Sequence, residues 1–359
     1  MEKPNTSTTP KKSLLKKIAL RGAAGLAGAV ALLAVATVAR QHRTFEAPYP
    51  AIAASADPAV IERGRYLVFG AGHCADCHGD PGARAALEAG GEIALSGGME
   101  FKLPVGTFRV PNITPDRDTG IGRYRDDQIA RILRYGVHAD GRAVMPFMPF
   151  ANLSDADLTA IVSFLRAQPA VRHDVEPHAP NMLGRAMMAF VVTPRGPSAP
   201  PAAHVQPAPT ADYGRYLVHN VGNCVNCHSK IDMRTGALAG PLLGGGGEIP
   251  SETNPAKTFI TPNLTPDARW GWIASWPEEV FVARVHMGKQ RDDSPMPWHA
   301  FKRMNDDDLR AIFRYLRTVP PVAGGPDPTQ ENAVVVGGGG DHYQPRAQLP
   351  AADRGRMKL

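Results

Sequence analysis

Past residue 43 this 359-residue sequence has no surplus of positive charge, and along its whole length it has only four cysteines. The first lack bears on partners. The formal net charge is +6, which taken alone would suggest a polyanionic ligand. Yet Lys3, Lys11, Lys12, Lys16, Lys17, Arg21, Arg40 and Arg43 all lie in the first 43 positions, against one acid, Glu2. The rest holds 32 basic and 33 acidic residues, so the basicity is a tail rather than a binding face, and no nucleic-acid partner is expected. The second lack leaves no thiol beyond two pairs. What the sequence does have is glycine (36) and proline (34), nearly a fifth of the chain, which implies extensive loops around two or three modest domains.

The basic tail flanks an apolar run. From Ile18 to Ala39 the residues are apolar or small except Arg21, and Gly22–Ala39 alone gives 18 residues. A membrane-crossing helix needs roughly 20. Lysines crowd its N-terminal side, so the positive-inside rule puts the N-terminus in the cytoplasm and everything after Arg40 outside. A cleaved signal peptide is the rival reading, with Ala34-Val35-Ala36 as its cleavage site. Signal h-regions run only about 7–15 residues, which favours an uncleaved anchor.

The cysteines are Cys74, Cys77, Cys224 and Cys227, two C-x-x-C pairs, each followed at once by a histidine, His78 and His228. C-x-x-C-H is the attachment signature of c-type haem. Two thiols three positions apart on a helical turn can each add to one vinyl group of the porphyrin, and the adjacent histidine then falls under the iron. Two disulfides or a four-thiol zinc site would account for the cysteines but not for the histidine after each pair. The expected cofactors are two haem c groups with their iron.

The second motif lies 150 residues after the first, and its surroundings repeat. Gly64-Arg65-Tyr66-Leu67-Val68 returns as Gly214-Arg215-Tyr216-Leu217-Val218, and Asn112-Ile113-Thr114-Pro115-Asp116 as Asn263-Leu264-Thr265-Pro266-Asp267. Met145-Pro146-Phe147 returns as Met296-Pro297-Trp298. Within each unit a first helix leads into the C-x-x-C-H motif, in the first unit with Asp57 as N-cap and Pro58 at N1. A middle helix carries Ile129, Ile132 and Leu133 and stops at Gly136; its counterpart carries Val280 and Val285 and stops at Gly288. Ser154 caps a last helix with Leu158, Ile161, Val162 and Leu165 on one face, as Asn305 caps Leu309, Ile312, Phe313 and Leu316. Asp155, Asp157 and Asp306 to Asp308 read as first-turn residues favoured by the helix dipole. Residues 193–210 read as a semi-rigid Pro-rich spacer. Met182 to Val192, short and apolar, reads as packing on a domain surface rather than spanning.

Methionine as sixth ligand raises a haem's potential and suits electron transfer. Met145 and Met296 hold equivalent places, each before proline on a loop about ten residues ahead of the last helix. Met148 and His138 compete in the first unit, but His299 stands at the counterpart of Met148 and no histidine at that of His138, so the repeat favours Met145 and Met296. Tyr66, Tyr216, Phe147, Trp298 and Trp276 are candidates to line the haem crevices, with ordinary core packing an equal reading for each. His73 and His219 receive no role.

The succession of C-x-x-C-H, Asn-Ile/Leu-Thr-Pro-Asp, a Gly-terminated helix, Met-Pro-aromatic and an Asp-rich capped helix resembles the cytochrome c subunits of membrane-bound alcohol, aldehyde and gluconate dehydrogenases. The resemblance covers about residues 58–170 and 211–320. It implies that Cys74, Cys77, Cys224 and Cys227 attach haem and that His78, Met145, His228 and Met296 are axial ligands. Those subunits usually carry three haem domains and are often anchored toward the C-terminus, whereas this chain has two motifs and an N-terminal apolar run. The expected fold is mainly α, two tandem cytochrome c-like domains behind one transmembrane helix. Its expected parts are a basic cytoplasmic tail (1–17), an anchor (18–39), a linker (40–57), domain 1 (58–170), a Pro-rich linker (171–210), domain 2 (211–320) and a flexible tail (321–359). The expected role is electron transfer on the periplasmic side of a bacterial inner membrane, from a dehydrogenase to quinone, a cytochrome or an oxidase. A di-haem subunit of a terminal oxidase shares that chemistry with a different partner. A di-haem enzyme such as a peroxidase would need an open iron, against which a methionine at each site argues.

Overall fold

The computed structural model describes residues 11–148, 150–232, 237–251, 257–291, 294–324, 334–336 and 343–344. The chain starts with α1 (Lys11–Arg40), within which Leu15–Arg40 is long and apolar enough to cross a membrane. Those 26 residues reach about 39 Å at 1.5 Å each, against a hydrocarbon core of about 30 Å. The helix begins at Lys11 rather than at Ile18. Lysine and leucine are good helix formers, so the backbone does not break where the apolar run does. The first ten residues of the expected basic tail lie outside the described residues.

Next come α2 (Pro58–Phe69), α3 (Ala75–His78), α4 (Arg84–Glu88), α5 (Asp126–Tyr135) and α6 (Asp155–Ala167), with a hairpin of β1 (Glu100–Leu103) and β2 (Gly106–Arg109) between α4 and α5. After α6 the chain adds β3 (Ala179–Pro180) to β2 and forms α7 (Met182–Phe190). The order then recurs. α8 (Ala211–Tyr216), prolonged by a π-helical turn over Leu217–Val221, leads into α9 (Cys224–His228), β4 (Glu248–Pro250) and β5 (Lys257–Ile260). α10 (Glu278–His286), α11 (Trp298–Phe301) and α12 (Asp306–Leu316) follow, and β6 (Val334–Val336) and β7 (Tyr343–Gln344) extend the sheet from β5. All strand pairs are antiparallel. The molecule is mainly helical, but its small sheets have no counterpart in the sequence reading. Apart from β6 and β7, most of the expected tail beyond residue 324 lies outside the described residues.

The caps behave as their chemistry requires. Asp57 accepts from Ala59 N–H at 2.8 Å, Ser154 from Asp157 N–H at 3.1 Å and Asn305 from Asp308 N–H at 2.8 Å. Gly136 (φ 63°) and Gly288 (φ 67°) end α5 and α10 in the left-handed conformation that glycine adopts without strain.

One crossing organises each set of helices. α2 lies on α6, and α8 on α12. At both crossings the contact residue is a glycine of the repeated pentapeptide. A Cβ at Gly64 would stand 1.9 Å from the Ala160 carbonyl oxygen, and one at Gly214 would stand 1.9 Å from that of Ala311. Only the absence of a side chain lets the backbones come so close. Leu67, Val68, Leu158 and Val162 fill one core and Leu217, Val218, Leu309 and Leu316 the other, all essentially inaccessible to water.

The two sets meet through polar groups related by the repeat. Tyr66 Oη donates to Asp308 Oδ2 at 2.8 Å, and Tyr216 Oη donates to Asp157 Oδ2 at 2.7 Å. Each tyrosine oxygen also accepts a backbone N–H, from Asn305 and from Ser154, both at 3.1 Å. This decides one reading and extends another. Tyr66 and Tyr216 tie the halves together and do not line the cavity, and Asp157 and Asp308 are buried partners of those hydroxyls as well as first-turn residues.

Candidate functional site

Each C-x-x-C-H motif folds as one helical turn, α3 or α9, directly after a residue with positive φ: His73 (38°) in the first half and Asn223 (49°) in the second. Both turns border a shared cavity of about 1620 Å³. Cys74, Cys77, His78 and Met145 line it, and so do Cys224, Cys227, His228 and Met296. The volume exceeds the roughly 300–1,000 Å³ of a single ligand or cofactor pocket.

Both histidines are buried, and both are held the same way. His78 Nδ1 lies 2.9 Å from the Pro111 carbonyl oxygen, and His228 Nδ1 lies 3.1 Å from that of Pro262. An N–H···O=C bond at Nδ1 fixes the tautomer whose Nε2 carries the free lone pair, the arrangement seen in metal-ligating histidines. Burial pushes both imidazoles below their ordinary pKa, with the prolyl carbonyl acting against that shift, so the neutral ligand form is favoured.

The Asn-Ile/Leu-Thr-Pro-Asp elements hold those carbonyls in place. Asn112, which follows Pro111, accepts from Thr114 N–H (2.9 Å) and Thr114 Oγ1 (2.8 Å) and donates through Nδ2 to the Val171 carbonyl (2.8 Å). Asn263 accepts from Thr265 N–H (2.8 Å) and Oγ1 (2.7 Å) and donates to the Val322 carbonyl (2.8 Å). All four side chains are buried. The motif is thus a clamp behind the histidine of each C-x-x-C-H turn, a role its letters do not reveal.

None of the four cysteines is disulfide-bonded, and among the described residues no three His, Cys, Asp or Glu side chains converge as a metal cluster. Burial pushes the Cys74 and Cys224 thiols up to about 12 and Cys77 to about 11, with the partner cysteine adding at Cys74 and Cys224 and Asp76 adding at Cys77. Cys74, Cys77 and Cys224 are half-buried and Cys227 is exposed, and all four line a largely apolar cavity. With the oriented histidines beside them, the donor set fits covalently held haem.

The methionine loops repeat too. Phe147 N–H donates to the Met145 carbonyl and Trp298 N–H to that of Met296, each at 2.7 Å, so both Met-Pro-aromatic segments make the same tight turn. Met148 and His138 also line the cavity. The repeat counterpart of Met148 does not: His299 is buried with Nε2 2.8 Å from Asp76 Oδ1. Phe147, Trp276 and Trp298 line the cavity as expected, and Arg284 stacks on Trp298 at 4.1 Å. The His299–Asp76 pair escaped the sequence reading. It joins the methionine loop of the second half to the attachment turn of the first, and no local pattern announces a contact across that distance. Gly222 and the Ala71 carbonyl meet just ahead of the two attachment turns, a Cβ at Gly222 standing 3.6 Å from that oxygen.

Comparison with known proteins agrees with this geometry. Residues 59–165 match the family model of cytochrome c oxidase, cbb3-type, subunit III. A "diheme cytochrome c-type" protein of Cereibacter sphaeroides is 31% identical over 273 residues, 71% of this chain and 84% of that protein. The chain belongs to the c-type cytochromes. It is similar as well to the gluconate 2-dehydrogenase cytochrome c subunit of Pantoea cypripedii, 30% identical over 74% of this cytochrome and 60% of that subunit. The cytochrome c subunit of the quinone alcohol dehydrogenase of Gluconobacter oxydans is 30% identical over 86% of this cytochrome and 62% of that subunit. The cytochrome therefore spans about three fifths of the length of those two relatives. Its kind carries electrons on covalently bound haem and is not the substrate-transforming component.

Proposed function

We propose that this cytochrome binds two haem c groups in two tandem domains and relays electrons from a dehydrogenase to quinone, another cytochrome or an oxidase, outside the cytoplasmic membrane of a bacterium. The observation that carries this reading is the duplication of the whole site: two C-x-x-C-H turns, each with its histidine Nδ1 on a prolyl carbonyl, opening on one cavity. Bound haem supplies a one-electron iron couple. The residues of the chain do the rest. Cys74, Cys77, Cys224 and Cys227 would form the covalent attachments, and His78, His228, Met145 and Met296 would hold the iron. Leu217, Val218, Ile161 and Leu165 line the cavity from the two cores and exclude water. Asn112 and Asn263, through their threonine partners, keep the proximal histidines from turning.

Lys11, Lys12, Lys16 and Lys17 at the N-terminal end of α1 support an N-terminus in the cytoplasm and the haem domains on the periplasmic side. The names of the relatives support a dehydrogenase partner. The oxidase-subunit family model supports the second reading, a place in a terminal oxidase. Gentle solubilisation of native membranes and purification of the haem-stained protein separates the two. A flavin- or quinone-cofactor dehydrogenase should travel with it; oxidase subunits in its place would move it to the respiratory terminus. Replacing Cys74 and Cys77 together should leave one haem per chain, and two haems in that variant would refute the assignment of the first site.

A further inference from the structure

Helix α7 has its amphipathicity inverted for a protein surveyed only by water. Its buried positions are small, Gly184 and Ala189, while Met182, Leu183, Phe190 and Val191 are exposed. Leu183, Met187 and Val191 follow one another at i, i+4 and i+8, so the large apolar side chains form a stripe along one side. The small residues let the helix sit tight on the body: a Cβ at Gly184 would come 2.0 Å from the Val105 carbonyl oxygen. Met182, Leu183, Phe190 and Val191 remain 42–63% exposed among the described residues.

What lies next to that stripe identifies its partner. α7 packs against the C-terminal end of α1, where Thr37 is buried. Arg40 stacks on the Phe190 ring at 5.6 Å, and Arg43 Nη2 donates to the Val192 carbonyl at 2.6 Å. α7 thus lies level with the last turn of the apolar helix, the end at which a spanning helix leaves the hydrocarbon. One turn corresponds to about 5 Å of depth, within the roughly 5–10 Å at which interfacial helices embed. The arginines stand where long basic side chains reach the headgroups.

We propose that α7 is a second membrane contact, lying in the outer interfacial layer of the bilayer with Leu183, Met187, Phe190 and Val191 turned into the lipid. It holds the body of the cytochrome at a fixed attitude beside the anchor instead of letting it swing on residues 41–57. The proposal rests on the reading of α1 as an anchor, and the test reports on the two separately. The full-length holoprotein is reconstituted into phosphatidylethanolamine–phosphatidylglycerol vesicles doped with a phospholipid carrying a photoactivatable diazirine near the glycerol end of its acyl chain. Lipid adducts are then mapped by mass spectrometry. Adducts on residues 182–191 as well as on the end of α1 are expected, and the Leu183→Gln/Val191→Gln variant should lose the former several-fold with its haem spectrum unchanged. Adducts on α1 alone would overturn the α7 proposal while sparing the anchor. Adducts on α7 without α1 would do the reverse, and adducts on neither would overturn both.

Discussion

At the scale of single residues, the proximal and distal sides of each site are built differently. His78 and His228 are fixed by a bond at Nδ1 and by burial, so their position follows from backbone that is itself clamped by Asn112 and Asn263. Met145 and Met296 sit on turns held by one short local bond each. A methionine replaced by alanine should therefore leave fold and attachment intact and open the distal side. In Met145→Ala or Met296→Ala one of two potentials should fall, by on the order of a hundred millivolts out of the ~0.8 V that axial ligands span, and that site should bind carbon monoxide. Redox titration and carbon monoxide difference spectra check it. Met148→Ala is the control, because Met148 packs on the core and its counterpart His299 bonds Asp76. If Met148→Ala opens the first site while Met145→Ala leaves it closed, the ligand is Met148.

At the scale of elements, the two helix crossings are the tightest points of the fold. Gly64→Ala and Gly214→Ala each drive a methyl group into a backbone carbonyl, which cannot move aside as a flexible side chain can. Overpacking of this kind costs about 1–3 kcal/mol or more, so each variant should lose that much unfolding free energy and show a correspondingly lower denaturant midpoint; unchanged midpoints would mean the helices can separate freely. These elements show what was legible in advance. Asp57, Ser154, Asn305, Gly136 and Gly288 act within a few residues of themselves, and the sequence names them directly. The repeated glycine was visible as a letter, but its purpose depends on Ala160 or Ala311, nearly a hundred residues away. The short strands carry too few residues for a period-2 pattern. Pro111 and Pro262 could be tied to the histidines only once the chain had folded back on itself.

At the scale of the molecule, the junction between the halves is symmetric in its tyrosines and asymmetric in its charge. Asp157 receives Tyr216 and also the guanidinium of Arg63, at 2.8 and 3.1 Å. Asp308 receives Tyr66, but the residue equivalent to Arg63 is Tyr213, so no guanidinium grips it. Burial accordingly raises the Asp308 carboxyl above its usual range, while the hydroxyl of Tyr66 and the charge of Arg63 act in the other direction. A carboxyl raised on folding favours the protonated form. Its contribution to stability is present below the unfolded value near 3.8 and is lost as pH climbs through the folded one. The two amide substitutions should therefore differ. Asp157→Asn strands Arg63 and should cost about 1–3 kcal/mol at neutral pH, whereas Asp308→Asn keeps an acceptor for Tyr66, removes an unneutralised charge and should gain on the wild type as pH rises from 4 to 7. Denaturant unfolding followed by far-UV circular dichroism at the two pH values distinguishes them. Equal losses for both variants, independent of pH, would mean that the junction treats its two carboxylates alike and that the substitution of tyrosine for arginine at position 213 has no electrostatic consequence.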